Sequence, residues 1–374
     1  MKKDSQINLL SHSQAKVRLL SEYLKRYLNI ISNDNHTKEI QVYDLFCGEG
    51  IYENGGEGSP LLILRQIKDM HFTNPANRRF IPPVNCHFND LDSRKVEKVK
   101  AAVAAKSLHY PDFGSIGYSS TDYQSLLNQL VKAFANLKSQ KQKAFVFIDP
   151  YQYRHICGSQ IAALMASGCV EVLLWLPTQF MYRFAKNGTP EALYDFISEL
   201  IPDFSDQGFD DVWSFIKKIK EGFFHALLGE SFFVDTFTIQ KDPSTVFCLF
   251  FFTSHILGFQ KMLEAKWDID TEQGKGWHYQ ENQLSFLSQY KTNPLEADLV
   301  EFFTTKPRSN VEVYRFTISR GFLPKHTNEV LRNWQNTQRI SIATPTGTKP
   351  RKSAFYIAYE YYKQNQVKAI FSLS

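Results

Sequence analysis

The chain has 374 residues, 43% hydrophobic and 22% charged, which is room for two or three domains with buried cores. No run of about 18 apolar residues occurs, so a membrane span is not expected. The net charge of +5 is uneven: residues 294–374 carry 12 Lys/Arg against 6 Asp/Glu, the preceding 293 carry 31 against 32, and an anionic partner is expected for the last fifth.

Residues 13–31 read as a helix. Val17, Leu20, Leu24, Tyr27, Leu28 and Ile31 recur at helical spacing, with Lys16, Arg18, Lys25 and Arg26 on or near the opposite face. After a polar linker, Ile40-Gln41-Val42-Tyr43-Asp44-Leu45-Phe46-Cys47-Gly48-Glu49-Gly50 reads as a buried strand ending in an acid. The turn that follows carries two glycines, which let a ligand approach bare backbone. Ser59 reads as the cap of a helix over 61–70, with Pro60 at its first position. A loop with three prolines over 71–83 precedes a second strand over 84–89, which ends at Asp90-Leu91-Asp92. A basic-faced helix over 94–107, a short strand over 115–118 and a helix over 124–137 lead to a fourth strand over 143–148. That strand ends in Asp149-Pro150-Tyr151-Gln152-Tyr153. A helix over 159–167 and a fifth strand over 170–176 complete a βαβ series, which predicts an α/β fold with a mainly parallel sheet. The strand ends then gather on the carboxyl edge, where such sheets bind ligands.

Residues 180–230 read as a helical insertion. Strands over 232–240 and 246–253 flank Lys241-Asp242-Pro243-Ser244-Thr245 and predict a hairpin that finishes the sheet antiparallel. A helix over 258–266 closes a first domain of 1–266, and 267–293 reads as a polar linker. In the domain 294–374, helices over 295–305, 310–320 and 324–338 precede strands over 339–344 and 353–359, the order of a winged helix. Its third helix carries Lys325, His326, Asn328, Arg332 and Asn333, and its turn carries Lys349, Arg351 and Lys352. That pattern points to DNA or RNA, with the helix in a groove and the turn on phosphate.

The order Asp44-x-Phe46-x-Gly48-x-Gly50 resembles the first motif of S-adenosylmethionine-dependent methyltransferases, a class the terminal hairpin also resembles. It departs from the dinucleotide fingerprint, whose third glycine would fall at Glu53, so a nicotinamide-dependent oxidoreductase is the weaker alternative. The resemblance implies that Phe46 to Gly50 cradle the amino-acid end of the cofactor. Asp90, with Asp92 as the alternative, would take the ribose hydroxyls, and Asp122 the adenine amine. Asp149-Pro150-Tyr151 resembles the motif with which amino-methyltransferases hold a target amine. Asp149 would accept its hydrogens and Tyr151 or Tyr153 would stack, although Tyr151 stands in place of the motif's second proline. The opening Asp-Leu-Phe-Cys-Gly also resembles C5-cytosine enzymes, yet the chain has no Pro-Cys dipeptide to supply their nucleophile.

A closer resemblance rests on Lys16 with Tyr23-Leu24, on Asp44 to Pro60 and on Phe147-Ile148-Asp149-Pro150-Tyr151. Together with the winged-helix appendage these are similar to a bacterial family, the three-Cys-motif partner proteins. The resemblance implies a methyltransferase-like fold and a radical-SAM-like partner that carries the three cysteines. An alternative role, a sensor or scaffold for that partner, follows from the altered Asp-Pro-Tyr. The chain's own five cysteines, Cys47, Cys86, Cys157, Cys169 and Cys248, are scattered without a Cys-x-x-Cys pair. Neither a zinc site nor a disulfide framework is expected, and the opening Met1-Lys2-Lys3-Asp4-Ser5 lacks a signal-peptide core, so a cytoplasmic setting is expected.

Overall fold

The computed structural model describes residues 10–73, 81–150, 156–186, 190–202, 204, 209–279, 293–348 and 350–374. They form two compact units, one of residues 1–258 with 275–279, the other of 259–274 with 280–374.

The first unit is built on eight strands: β1 (Glu39–Asp44), β2 (Val84–Asn89), β3 (Ile116–Ser119), β4 (Gln142–Ile148), β5 (Val170–Leu176), β6 (Phe233–Asp242), β7 (Thr245–Thr253) and β8 (Gly276–His278). They lie in the order β3-β2-β1-β4-β5-β7-β6-β8. β1 to β5 run parallel, β7 is antiparallel to both β5 and β6, and β8 adds parallel to β6. This is the expected mostly parallel, Rossmann-like sheet with an antiparallel terminal hairpin. The hairpin turn is tighter than the sequence suggests, because pairing continues to Asp242 and Thr245 and leaves only Pro243-Ser244 between them.

The central strands β4, β5 and β7 are largely apolar because both faces are covered. On one face Ala144, Val146 and Ile148 of β4, Val172 and Leu174 of β5 and Phe250 and Phe252 of β7 join a single core cluster. The helices α4 (Tyr123–Phe134), α6 (Gly158–Met165), α8 (Glu191–Leu200) and α9 (Val212–Gly222) supply much of the rest of that cluster. The alternate residues point the other way, since successive strand side chains face opposite sides. There the helix α1 (Ser11–Ile31) lies on them, with Tyr23 against Phe145 and Phe251 and Tyr27 against Phe145. The buried stripe of α1 runs through His12, Lys16, Leu20, Tyr23, Leu24 and Tyr27. Lys16 therefore belongs to the covered face and not, as its charge suggested, to the opposite one.

In the second unit, α11 (Asn293–Thr304), β9 (Arg308–Ser309), α12 (Asn310–Ser319), α13 (Pro324–Asn336), β10 (Ile340–Ala343) and β11 (Ile370–Leu373) follow in winged-helix order. Ser309 and Glu312 form a capping box on α12, and Gly321 follows that helix with φ +81°. The three strands pair antiparallel as β10-β11-β9.

Two expectations are corrected here. Residues 353–359 are not the second strand. Ser353 and Tyr356 take φ of +60° and +55°, outside the strand region. The buried Asn310 side chain donates to the carbonyls of Tyr356 and Gln366 and accepts from the N–H groups of Lys368 and Ala369. The chain is thereby pinned as an ordered excursion, and β11 takes the place beside β10. The supposed linker is also partly structured. The helix Ile256–Ile269 runs into it, β8 lies within it, and the Trp267 indole donates to the Gly321 carbonyl at 3.0 Å.

Candidate functional site

β1 and β4 are neighbours in space although β2 and β3 separate them in sequence, so the strand order reverses between them. Ligands of open α/β sheets bind outside the carboxyl ends at such a point. Asp44 is the last residue of β1, and Asp149 follows the last residue of β4. Asp44 is fully buried. Its Oδ1 accepts the Phe46 N–H at 3.3 Å, and its Oδ2 makes no hydrogen bond of ordinary geometry, with the Ser59 hydroxyl nearby. Burial raises its carboxyl to about 7, and Asp149 adds to this. The Ser59 hydroxyl, the Phe46 N–H and Lys16 oppose the shift. Ser59 is thus the first residue of its helix, Ser59–Thr73, facing Asp44, where the sequence suggested a cap.

Asp149 forms an ion pair with Lys16 of α1. Burial alone would pull the Lys16 ammonium down, but Asp149 with Tyr52 and Asp44 outweighs it and holds the ammonium above its ordinary value. Trp175, near the end of β5, presents its ring 4.9 Å from the same Nζ. Phe247 stacks on Trp175 at 4.9 Å, and His12 lies parallel to Phe247 at 5.8 Å. Burial, with Lys241 and Lys16 nearby, lowers His12 to about 4, so this ring is neutral near pH 7.

The loop after β1 turns through Gly48 and Gly50, at φ +64° and +76°. A Cβ on Gly50 would stand 2.9 Å from Leu61 Cδ1 and 3.1 Å from Val99 Cγ2, so the position requires glycine for both conformation and space. The loop is closed by an Ile51–Glu57 bridge and by the Gly58 N–H on the Gly50 carbonyl at 2.7 Å.

Asp90 is nearly buried beside this loop. It accepts the Gly48 N–H at 3.2 Å and the Asp92 N–H at 3.0 Å and pairs with Lys95 at 3.2 Å. Asp92 caps the helix Ser93–Ala105, and Asp122 is exposed and caps Tyr123–Phe134. Asn89 is a residue the sequence did not single out. Its buried amide donates to the carbonyls of Leu45 and Thr121 and accepts from Ser119 Oγ and the Thr121 N–H, bracing the ends of β1, β2 and β3. A polar residue closing an apolar strand was its only signal. Lys16 carried a stronger one: it sits four, seven and eight residues before Leu20, Tyr23 and Leu24 and so falls on the apolar stripe. Pro150 is buried, whereas Tyr151 and Tyr153 lie outside the described residues.

In the second unit Lys325, Arg332 and Asn333 of α13 are exposed, as are Arg351 and Lys352. His326 is not. It is buried against Trp267, ring centroids 4.1 Å apart, with Nδ1 accepting the Leu323 N–H. Lys349 lies outside the described residues. Among the described residues no three His, Cys, Asp or Glu side chains are grouped to hold a metal ion, and no helix is long and apolar enough to cross a membrane.

Comparison with known proteins finds little sequence kinship. No curated protein matches the chain. Among solved structures it is similar to an O-methyltransferase from Bacillus cereus in complex with SAH, at 10% identity and a TM-score of 0.32, over 67% of this chain and 92% of that one. That likeness adds nothing to what the strand order shows. Residues 269–347 match the family described as the GMT-like wHTH domain, so the second unit contains a winged helix-turn-helix of that kind.

Proposed function

We propose that the chain is an S-adenosylmethionine-dependent methyltransferase acting on nucleic acid, with the winged helix as its grip. The observation that carries the cofactor assignment is the buried Asp44 carboxylate oxygen without a hydrogen bond of ordinary geometry, at the switch point beside two left-handed glycines. Such an oxygen suits the ammonium group of the cofactor's methionine end, and Gly48 in the adjoining loop carries no side chain to hinder a ligand's approach to backbone. Bound there, the cofactor supplies an electrophilic methyl group. Asp149, half-open at the end of β4, would orient the acceptor, so that much of the catalysis is positioning. Asp122 would reach the adenine end from the rim. Lys325 and Arg332 on α13, with Lys349, Arg351 and Lys352 further along the chain, would meet the polymer.

The test is transfer of labelled methyl from S-adenosylmethionine to mixed RNA and DNA. Asp149→Asn is expected to lower transfer by about 100-fold or more while cofactor affinity stays within about threefold, under half a tenfold step in binding free energy. Full turnover by that variant would remove Asp149 from the mechanism.

One observation favours a second reading, a sensor or scaffold for a radical-SAM-like three-cysteine partner. Both Asp90 oxygens are already engaged by Gly48, Asp92 and Lys95, so a ribose diol would have to displace Lys95. Failure of the chain to bind either the cofactor or its demethylated product would favour this reading.

A further inference from the structure

The acceptor end of the site holds a fixed positive charge. Lys16 is confined between the Asp149 carboxylate and the face of Trp175, which is itself backed by Phe247. Its side chain is 11% exposed and that of Asp149 22%, so the pair is largely withdrawn from water. The charge discriminates between acceptors. An amine gains positive charge as it attacks a methyl group, and an adjacent ammonium opposes this. A hydroxyl gains negative charge as its proton leaves, and the same ammonium favours that change. For a hydroxyl the pair is complementary, one group to donate to the oxygen and one to take its proton.

We propose that Lys16 and Asp149 together select and activate a hydroxyl acceptor, which within a nucleic acid is the ribose 2′-hydroxyl of RNA. This rests on the methyltransferase reading and replaces the target amine that the Asp-Pro-Tyr motif suggested. One O–C bond forms as one S–C bond breaks, the electron pair of the latter staying on sulfur. The hydroxyl proton passes to Asp149, and Lys16 remains an ammonium throughout, hydrogen-bonded to the oxygen. The DNA strand lacks this hydroxyl, so the site would separate the two polymers by chemistry as well as by shape.

The experiment supplies the full-length chain with labelled S-adenosylmethionine and either a mixed-sequence RNA or the DNA of identical sequence. Label is expected in RNA only, on ribose, where the methyl group protects the adjacent phosphodiester from alkali. Lys16→Met is expected to lower that transfer by about 100-fold or more, and Lys16→Arg to retain part of it. Calorimetric affinity of both variants for the demethylated cofactor is expected to stay within about threefold, which shows that they are folded and that Lys16 acts on the acceptor. Methyl groups on base nitrogen, or undiminished transfer by Lys16→Met, would overturn the hydroxyl assignment while leaving the methyltransferase reading intact. Cofactor binding without transfer to either polymer would overturn the nucleic-acid reading and this inference with it.

Discussion

Burial gives single residues of the first unit their unusual chemistry. Asp44 and Glu171 are both carboxyls raised to about 7, each primarily by loss of water. Glu171 accepts from Tyr23 and, at 2.7 Å, from Thr253 Oγ1, which only partly restores its charged form. A carboxyl raised in the folded state favours folding at low pH and withdraws that contribution as pH climbs from about 4 to about 7. Glu171→Gln is therefore expected to flatten the fall in stability across that window, and at pH 8 to raise stability by up to about 3 kcal/mol, read by urea unfolding at several pH values. An unchanged pH profile would mean that Glu171 is charged in the fold throughout. Gly50→Ala is expected to cost roughly 1–3 kcal/mol through its left-handed backbone, and to weaken cofactor binding with it. Lys16 shows where reading by residue type fails: a charged side chain was assigned outward by its chemistry, although its spacing put it inward. The spacing was the better guide because α1 is covered and a carboxylate stands ready to receive the ammonium.

Among the elements, the central strands were legible because apolar runs bounded by acids and turns leave few alternatives. β2 and β5 fall on their expected residues, 84–89 and 170–176. The end of the winged helix was not legible. Residues 353–359 have strand-forming composition, but the side chain of Asn310, 46 residues before Tyr356, takes that residue's carbonyl, and no local pattern reveals so distant a partner. Asn310→Ala would leave those carbonyls and N–H groups, three partly buried and the Ala369 N–H buried, without their protein partner. It is expected to destabilise the second unit by about 2–4 kcal/mol, measured by denaturant unfolding with Trp334 fluorescence as the probe. A loss below about 0.5 kcal/mol would mean that solvent replaces the Asn310 side chain. The site was legible at its acids and glycines, which lie within motifs. It was not legible at Asn89 and Trp175, which reach it from separate strands.

For the molecule as a whole, charge is uneven along the chain: near neutrality over the first 293 residues and the basic excess beyond. If that excess meets phosphate, affinity for RNA should fall steeply with salt. Arg351→Glu with Lys352→Glu should weaken binding and lower the slope of log K against log salt by about 1 for each phosphate that is no longer neutralised. Equal slopes for both proteins would mean that other side chains neutralise the phosphates. The central claim, a cofactor site built around Asp44 at the switch point, is tested most directly by calorimetric titration of the purified chain. The ligands are S-adenosylmethionine, its demethylated product and NAD. Binding of the first two but not NAD, weakened at least tenfold by Asp44→Ala, is the expected result. Binding of NAD alone, or of neither sulfur ligand, would contradict it.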